Sequence, residues 1–400
     1  MDDPAQGELT SQPAEDGATR LDMLIDGHSV SHVFIIPLTM KIGLARVPVD
    51  GIGGVWTQEG CRNRGYARRV LVEAVRRMRE GESAVSMLFG IPDFYEKVGY
   101  SVAGPGISLH LTRRPEESRL PHGWKVRPCG LGDLSAIHRL YERSIECAVG
   151  AIVREPEGRV WSALRKVAED PSRDECRVVE DPSGAISGYV WRGRDFWPVD
   201  TEDGAPDVLA IGEVMADSPA AADVLVAGCT AWAIEESVRR PNVQRAQLSL
   251  PPEGPVYAAL ARWGAKLEIQ WSRSGEFMAR TLSVGRLLTA LEPELSARAQ
   301  AAKVSAAGTL HLVTDLGDAI LNVSPHGVAL QQDSGSYNSP GPLEMTVELS
   351  QQDLTQLAFG TFPPGDVLDR LKSPPGADAR GWIELLFPQR HPYIHLPDWI

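Results

Sequence analysis

The pattern of apolar and polar positions alternates between strand-like and helix-like segments. Short apolar runs bounded by turn residues, such as 21–25 and 30–42, predict strands. Residues 69–80 instead place apolar side chains at helical spacing, with arginines on the opposite face. Over residues 21–113 the predicted order is β-β-β-α-β-α-β. The pattern therefore predicts an α/β (α+β) fold in which mixed sheets are flanked by helices.

A similar order of elements returns further along the chain. The polar segment 115–123 reads as a linker, and strand and helix patterns resume after it. An amphipathic helix at 283–301 opens a third region of alternating strands and short helices. The first twenty residues lack periodicity, which predicts a loose acidic tail. The predicted divisions are a tail at 1–20, units at 21–113 and 114–282, and a third region at 283–400.

Composition and charge narrow the functional classes. With 43% hydrophobic and 23% charged residues the chain is globular, and its net charge of −13 disfavours nucleic acid and anionic membranes as partners. The sequence has no apolar run long enough to span a bilayer and no secretory signal pattern. The five cysteines form no CxxC pair, so neither a disulfide framework nor a bound metal is expected. We expect a cytoplasmic protein.

The most informative stretch for function lies where a predicted strand meets a helix, at residues 62–67. Its sequence RNRGYA fits the pattern Arg/Gln-x-x-Gly-x-Gly/Ala. Free backbone N–H groups at a helix N-terminus can hold a pyrophosphate, and arginines add cationic donors. Gly65 would allow the phosphates close to the backbone. Taken alone, the pattern also fits an ordinary strand-to-helix turn with solvated arginines.

A second motif, FYEKVGY at 94–100, follows about thirty residues later in a β-α-β-α context. The pair resembles the acetyl-CoA pyrophosphate loop and the Phe-Tyr-x-x-x-Gly-Phe/Tyr helix of the GNAT acetyltransferase family. Two such units followed by a third α/β region similar to a sterol carrier protein (SCP2-like) resemble Eis-type (enhanced intracellular survival) N-acetyltransferases. The resemblance covers roughly residues 21–400. It is specific in the first unit and topological in the other two, so it implies tandem GNAT-like sheets followed by an SCP2-like domain.

The resemblance implies roles for particular residues. Tyr95 would be the general acid that protonates the departing CoA thiolate, and the C-terminal carboxylate of Ile400 would be the general base. The sequence ends in Trp-Ile, whereas the family usually ends in Asp and an aromatic residue. The competing interpretations are a core aromatic residue for Tyr95 and simple anchoring of a stiff tail for Ile400. The expected acetyl-CoA contacts are Val55, Trp56 and Thr57 at the strand edge, Asn63, Arg64, Gly65, Tyr66, Ala67 and Arg68 at the pyrophosphate, and Gly90 and Ile91 on the opposite side.

The implied activity is acetyl-CoA-dependent N-acetylation, in which an amine attacks the thioester directly. The acidic balance favours polyamine-like or lysine-like acceptors, and the resemblance adds aminoglycosides and a homo-oligomer, a hexamer. The second unit lacks the pyrophosphate pattern and is expected to be catalytically silent.

One departure from the family leaves two other functions open. Only about twenty polar residues precede Leu21, where a full GNAT unit has a strand and one or two helices, so the acceptor side is predicted to be shortened. The alternatives are an acyl-CoA-binding regulatory module without acceptor chemistry, and a lipid-binding protein that uses the third region. His28 and His32 are interpreted as surface or hydrogen-bonded histidines rather than ligands.

Overall fold

The computed structural model describes residues 7–112, 119–193, 208–272, 276–304, 307–331 and 344–400. The chain divides into two compact units, and it leaves the first unit and later returns to it. Unit 1 comprises residues 1–105, 271–392 and Ile400, and unit 2 comprises residues 106–270 and 393–399.

The elements are numbered in chain order. The first stretch of unit 1 contains β1 Glu8–Pro13, β2 Thr19–Ile25, β3 His28–Ile42, β4 Ala45–Thr57, α1 Tyr66–Glu80, β5 Val85–Gly90 and β6 Ser101–Val102. Unit 2 contains β7 Gly106–Thr112, β8 Lys125–Pro128, α2 Leu134–Ser144, β9 Val149–Ile152, α3 Arg159–Glu169, β10 Cys176–Glu180, β11 Ile186–Trp191, β12 Val208–Ile211, β13 Glu213–Ala216, α4 Pro219–Arg239, β14 Arg245–Leu248, α5 Gly254–Arg262 and β15 Lys266–Gln270. The returning stretch of unit 1 contains β16 Glu276–Thr281, α6 Val284–Ala301, β17 Gly308–Thr314, β18 Gly317–Ser324, β19 Gly327–Leu330, β20 Glu344–Leu349, α7 Gln351–Phe359, α8 Pro364–Leu368 and α9 Ala377–Leu386.

The main sheet of unit 1 has the strand order β1-β2-β3-β4-β5-β16-β6. Its neighbours are antiparallel except β4 and β5, which run parallel and are joined through α1. The apolar face of α1, including Val70, Leu71 and Ala74, is buried in the same core cluster as Val33 of β3 and Leu88 of β5. The predicted helix at 69–80 and its apolar face are therefore confirmed, and they pack α1 on one side of this sheet.

A second, four-stranded sheet in unit 1 has the order β19-β18-β17-β20, in which only β17 and β20 are parallel. Helix α6 contributes buried leucines to this region, and Leu287, Leu291 and Leu295 follow one another at helical spacing. Helix α7 begins with a capping box in which Ser350 accepts a hydrogen bond from the backbone N–H of Asp353 at 3.1 Å.

Unit 2 contains two four-stranded sheets, with the orders β13-β11-β10-β8 and β12-β14-β7-β15. Helix α4 begins at an N-cap, where Ser218 accepts a hydrogen bond from the N–H of Ala221 at 3.2 Å. Most of its residues are buried, in keeping with a helix that is apolar on nearly all sides. The mixed α/β class predicted for the chain is confirmed in both units.

Three segments differ from the sequence prediction. Residues 8–13, expected in a loose tail, form the edge strand β1, because they pair in antiparallel register with β2. Strand β7, expected in the first predicted unit, pairs with β14 and β15 of unit 2. Strand β16, expected in the second, pairs with β5 and β6 of unit 1. Both exchanges follow from pairing between segments that are far apart in sequence, which local patterns do not encode.

In the described ranges, no helix combines the length and the apolar character that crossing a membrane would require.

Candidate active site

The candidate site lies where β4 and β5 stop pairing. Their parallel ladder runs only from Val49–Val85 to Ile52–Leu88. Beyond it, the register between β4 and β3 shifts, so that Gly54 and Val55 oppose the single residue Val33. This is a β-bulge, and Gly54 adopts a φ of 56°, where a Cβ would lie 2.8 Å from the ring of Phe34. Within the described residues the β5-facing edge of 53–57 therefore has no strand partner. The carbonyl of Trp56 accepts a hydrogen bond from the Ser31 hydroxyl at 2.9 Å, and that of Thr57 accepts one from Nε of Arg62 at 3.5 Å.

The end of β4 leads directly into the N-terminus of α1. Gly65 is its N-cap residue, with a φ of 78°, and no side chain in the described part of the chain caps the first turn. A Cβ at Gly65 would meet no described atom within 4 Å, so this side of the turn is open. Arg64 and Arg68 are exposed beside it. Uncapped N–H groups, the helix dipole and two arginines together make a site suited to a phosphate-bearing ligand.

Two of the predicted contacts can act only through their backbone. The ring of Tyr66 is buried in the core of unit 1, and the side chain of Val55 packs against the same core. Trp56 and Ile91, by contrast, are 44% and 62% exposed. The Thr57 hydroxyl lies 2.9 Å from that of Ser31 on β3, which fixes its orientation.

The opposite wall is formed by the end of β5 and the short 3-10 turn Tyr95–Val98. A Cβ at Gly90 would lie 3.1 Å from the ring of Tyr95, so the glycine allows the ring to approach β5 closely. The ring also packs edge-on against Phe94 and Tyr100, with centroids 4.9 Å and 6.3 Å away. The Tyr95 hydroxyl makes no hydrogen bond to any described residue. Burial raises the pKa of Tyr95, so the phenol keeps its proton at neutral pH and can donate it.

The last residue, Ile400, packs in unit 1 against β4. A Cβ at Gly53 would come within 3.2 Å of the carboxyl carbon of Ile400, and a Cβ at Gly51 would collide with its side chain. Gly51 and Gly53 are two residues apart on one strand, so they leave space on the same face of the sheet. The terminal carboxyl group thus lies beside the part of β4 that precedes the bulge.

Sequence reasoning missed a polar cluster beside Trp56. His32 lies opposite Trp56 across β3 and β4, and the two rings stack with centroids 5.2 Å apart. Nη2 of Arg20 donates to Nδ1 of His32 at 3.2 Å, so the ring proton is on Nε2. The same guanidinium pairs with the buried carboxylate of Asp22 at 2.8 Å. Burial lowers the pKa of His32, and the positive charge of Arg20 lowers it further, so the imidazole is neutral at pH 7.

Only part of the signal for this cluster was present in the local sequence. His32 and Phe34 alternate with the core residues Val33 and Ile35, which indicates a second, functional face of β3. Placing His32 next to Trp56 nevertheless requires the register between strands, which the sequence pattern alone does not provide. Among the residues that the structure places, no three His, Cys, Asp or Glu side chains are grouped as a metal site requires.

Comparisons with known proteins agree with this geometry. Residues 13–103 match a family model described as an acetyltransferase (GNAT) domain. A GCN5-related N-acetyltransferase from Kribbella flavida is 20% identical, with a TM-score of 0.68 over 95% of this chain and 88% of that chain. A second, from Anabaena variabilis, is 17% identical, with a TM-score of 0.66 over 95% and 89%. Eis1 from Mycobacterium abscessus is 16% identical, with a TM-score of 0.59 over 95% and 91%. No curated protein sequence matches significantly. At these identities the solved structures show a shared fold over nearly the whole chain.

Proposed function

We propose that this chain, whose residues 13–103 form a GNAT acetyltransferase domain, transfers the acetyl group of acetyl-CoA to an amine. The main observation behind the proposal is that three features of the candidate site lie next to one another on adjacent elements. An unpaired edge of β4 runs into the uncapped N-terminus of α1, and the buried Tyr95 ring packs on the end of the neighbouring strand β5. Acetyl-CoA has an extended amide-containing arm, with a pyrophosphate at one end and a thioester at the other. Its parts therefore match these three features in the same spatial order.

Acetyl-CoA would be held mostly by backbone groups. The amides of its pantetheine arm would pair with the edge of β4 at Val55, Trp56 and Thr57, as an added strand does. Its pyrophosphate would accept N–H donors from residues 63–68, and the guanidinium groups of Arg64 and Arg68 would add charge. Gly90 and Ile91 would form the wall on the β5 side.

The proposed reaction starts from the neutral amine, so a cationic acceptor first releases one proton to solvent. The amine nitrogen then attacks the thioester carbonyl carbon, a C–N bond forms, and the C–S bond breaks as the tetrahedral intermediate collapses. The Ile400 carboxylate accepts the proton that the amine loses, and the Tyr95 hydroxyl donates a proton to the leaving thiolate. The Tyr95 phenol is protonated at neutral pH, and because burial raises its pKa and weakens it as an acid, the proton moves only as negative charge develops on the leaving sulfur. Much of the rate enhancement would come from holding amine and thioester in line.

The surroundings support a cationic acceptor such as a polyamine, a lysine side chain or an aminoglycoside. Trp56 is 44% exposed and stacks on His32, and aromatic faces attract ammonium groups. A neutral His32 does not repel such a group, and its Nε2–H can donate to an acceptor hydroxyl or carbonyl. The net charge of −13 adds a long-range attraction for cations.

The remaining sequence predictions belong to the same proposal. The GNAT-like unit predicted at 114–282, without the strand β16 that pairs in unit 1, would be catalytically silent, and residues 283–400 would be an SCP2-like scaffold. The protein would act in the cytoplasm as a homo-oligomer, a hexamer by family resemblance, without nucleic acid or membrane partners.

The decisive experiment follows free thiol release from acetyl-CoA in the presence of an amine panel containing spermidine, kanamycin and a lysine peptide. Release above the amine-free hydrolysis control, with acetylated amine detected by mass spectrometry, is the expected result. Acetyl-CoA binding without release on any amine would instead favour the acyl-CoA-binding module. Retention of a labelled fatty acid without acetyl-CoA binding would favour the lipid-binding alternative.

The role of the terminal carboxylate is tested by extending the chain. Appending Gly-Gly-Ser after Ile400 moves the carboxylate away from Gly53, and we expect kcat to fall about 100-fold, within the range of general base catalysis. The dissociation constant of acetyl-CoA, measured by calorimetry, should stay within about twofold. The matched control Ile400→Val keeps the carboxylate and removes one methylene, and should retain kcat within a few-fold. A wild-type kcat in the extended protein would exclude the carboxylate as base.

A further inference from the structure

A cavity in unit 1 lies between the C-terminal half of α1 and the turn Tyr95–Val98. It encloses about 640 Å³, within the size range of small-molecule sites. Val72, Val75 and Val98 provide apolar walls, and Arg79, Lys97 and Arg280 provide cationic groups. Lys97 and Val98 lie on the turn that also carries Tyr95, but none of the cavity-lining residues is among the proposed acetyl-CoA contacts or proton-transfer groups.

The charges of this basic cavity, as we call it, are unevenly compensated. Arg76, which also lines it, is neutralised by Glu73 at 2.8 Å and by Glu80 at 2.5 Å. Arg79, Lys97 and Arg280 have no ion-pair partner anywhere in the described part of the chain. The protein has a net charge of −13, so three unpaired cations around one cavity make the charge of this surface locally opposite to that of the whole chain.

Arg280 has the strongest requirement for an anion. Its guanidinium is half-buried, Nη1 donates to the carbonyl of Val98, and Nε is buried without a partner among the described residues. Burial lowers the pKa of Arg280, and the charge of Arg79 adds to this effect. Asp315 acts on Arg280 only from a distance, and its carboxylate is already bound to the backbone N–H of Gln351. A half-buried cation without a counter-ion is unfavourable, and an anion in the cavity would relieve that.

The contact between Arg280 and Val98 does not account for the whole cavity. In this contact Arg280 caps a carbonyl at the C-terminal end of the turn, so the contact explains the position of Arg280 alone. Arg79 and Lys97 are exposed, lie on two other elements, and take no part in that contact. A bound anion explains why all three cations surround the same opening.

We infer that the basic cavity binds a small organic or inorganic anion that carries at least two negative charges on phosphate or carboxylate groups. Charged oxygens would meet the guanidinium groups of Arg79 and Arg280 and the ammonium of Lys97. An apolar portion of the ligand would cover Val72, which is 53% exposed. This inference does not depend on the proposed acetyl transfer.

The test is calorimetric titration of the full chain with pyrophosphate and, separately, with tricarballylate at constant ionic strength. The protein is first saturated with CoA, so that the phosphate-binding turn at α1 is filled, and the CoA titration reports independently on the proposed function. Saturable binding of either probe is expected, and the better probe distinguishes phosphate from carboxylate recognition.

The exposed pair Arg79→Gln/Lys97→Gln should weaken that binding at least tenfold. The matched control Arg77→Gln removes a cation from the same helix that does not line the cavity, and it should leave the affinity unchanged. The inference is overturned if wild-type protein binds neither probe at millimolar concentration, or if the double variant binds as tightly as the control.

Discussion

Replacing Tyr95 with phenylalanine should lower kcat for acetyl transfer about 100-fold, because the variant has no proton to give the departing thiolate. The effect on the affinity for acetyl-CoA should be within about twofold. The Tyr95 ring, rather than its hydroxyl, packs against Gly90, Phe94 and Tyr100, and the hydroxyl makes no hydrogen bond to a described residue. Steady-state thiol release gives kcat, and calorimetry gives the dissociation constant.

Tyr100 offers a matched control for this variant. Its ring lies 6.3 Å from that of Tyr95, and its buried hydroxyl is hydrogen-bonded to Ser86 at 2.7 Å. Tyr100→Phe should therefore lower thermal stability and leave kcat nearly unchanged.

The pH profile of the wild-type rate gives a second check on the role of Tyr95. Because burial raises the pKa of Tyr95 above its usual value near 10, the wild-type rate should not decline from ionisation of this phenol below about pH 10. A Tyr95→Phe protein with wild-type kcat would remove the general-acid role.

The largest expected effect on stability comes from Arg154→Met in unit 2. Arg154 is buried between the carboxylates of Glu213 and Asp398, and its guanidinium lies 3.7 Å from the ring centre of Tyr141. Removing the cation leaves two buried carboxylates facing each other without compensation. Breaking a buried ion pair in this way destabilises proteins by about 3–5 kcal/mol, and we expect a loss of this size in the urea unfolding of unit 2.

The pH dependence and a surface control make the Arg154 prediction specific. Burial by itself would raise the pKa of Glu213, but Arg154, together with His395 and the Tyr189 hydroxyl, outweighs it and the pKa is lowered. The ion pair therefore stabilises the protein above the usual glutamate pKa, and that contribution is lost as the pH falls below about 4.5. In the variant the uncompensated Glu213 carboxylate binds a proton at a higher pH, so the difference between variant and wild type should begin to shrink above pH 4.5 and continue to shrink below it. Arg127 also bridges two carboxylates, but its side chain is 39% exposed, so Arg127→Met should cost about 1 kcal/mol or less. Equal losses in the two variants would contradict the argument.

Local features of the fold were accessible from the sequence. The apolar stripe of residues 69–80 lies within α1, and Gly65 indeed begins that helix at a positive φ. The FYEKVGY motif forms the short 3-10 turn Tyr95–Val98, which ends at the motif glycine Gly99 with a φ of 85°. Each of these segments is specified by side chains within a few residues of one another, where helical or strand periodicity is a direct physical signal.

Long-range pairing was not accessible. Strand β1 has too few apolar residues to stand out, and only its register with β2 makes it a strand. The contact between Arg20 and His32, and the stacking of His32 on Trp56, depend on how β2, β3 and β4 align. Ile400 packs beside Gly53 of β4, although the two residues are far apart in the sequence. These features lie on the face of the sheet opposite α1, so that face is where sequence reasoning was least informative.

The placement of β16 next to β5 also sets the order in which the protein can fold during its synthesis. Residues 91–275 separate the two strands, so at ordinary translation rates of 5–20 residues per second the edge of β5 waits roughly 10–40 s for its neighbour. Both four-stranded sheets of unit 2 are complete in sequence before β16 leaves the ribosome. The main sheet of unit 1, whose first strands begin the chain, is thus completed after both sheets of unit 2. In the interval the apolar edge of β5 is open to chaperones or to pairing with another nascent chain.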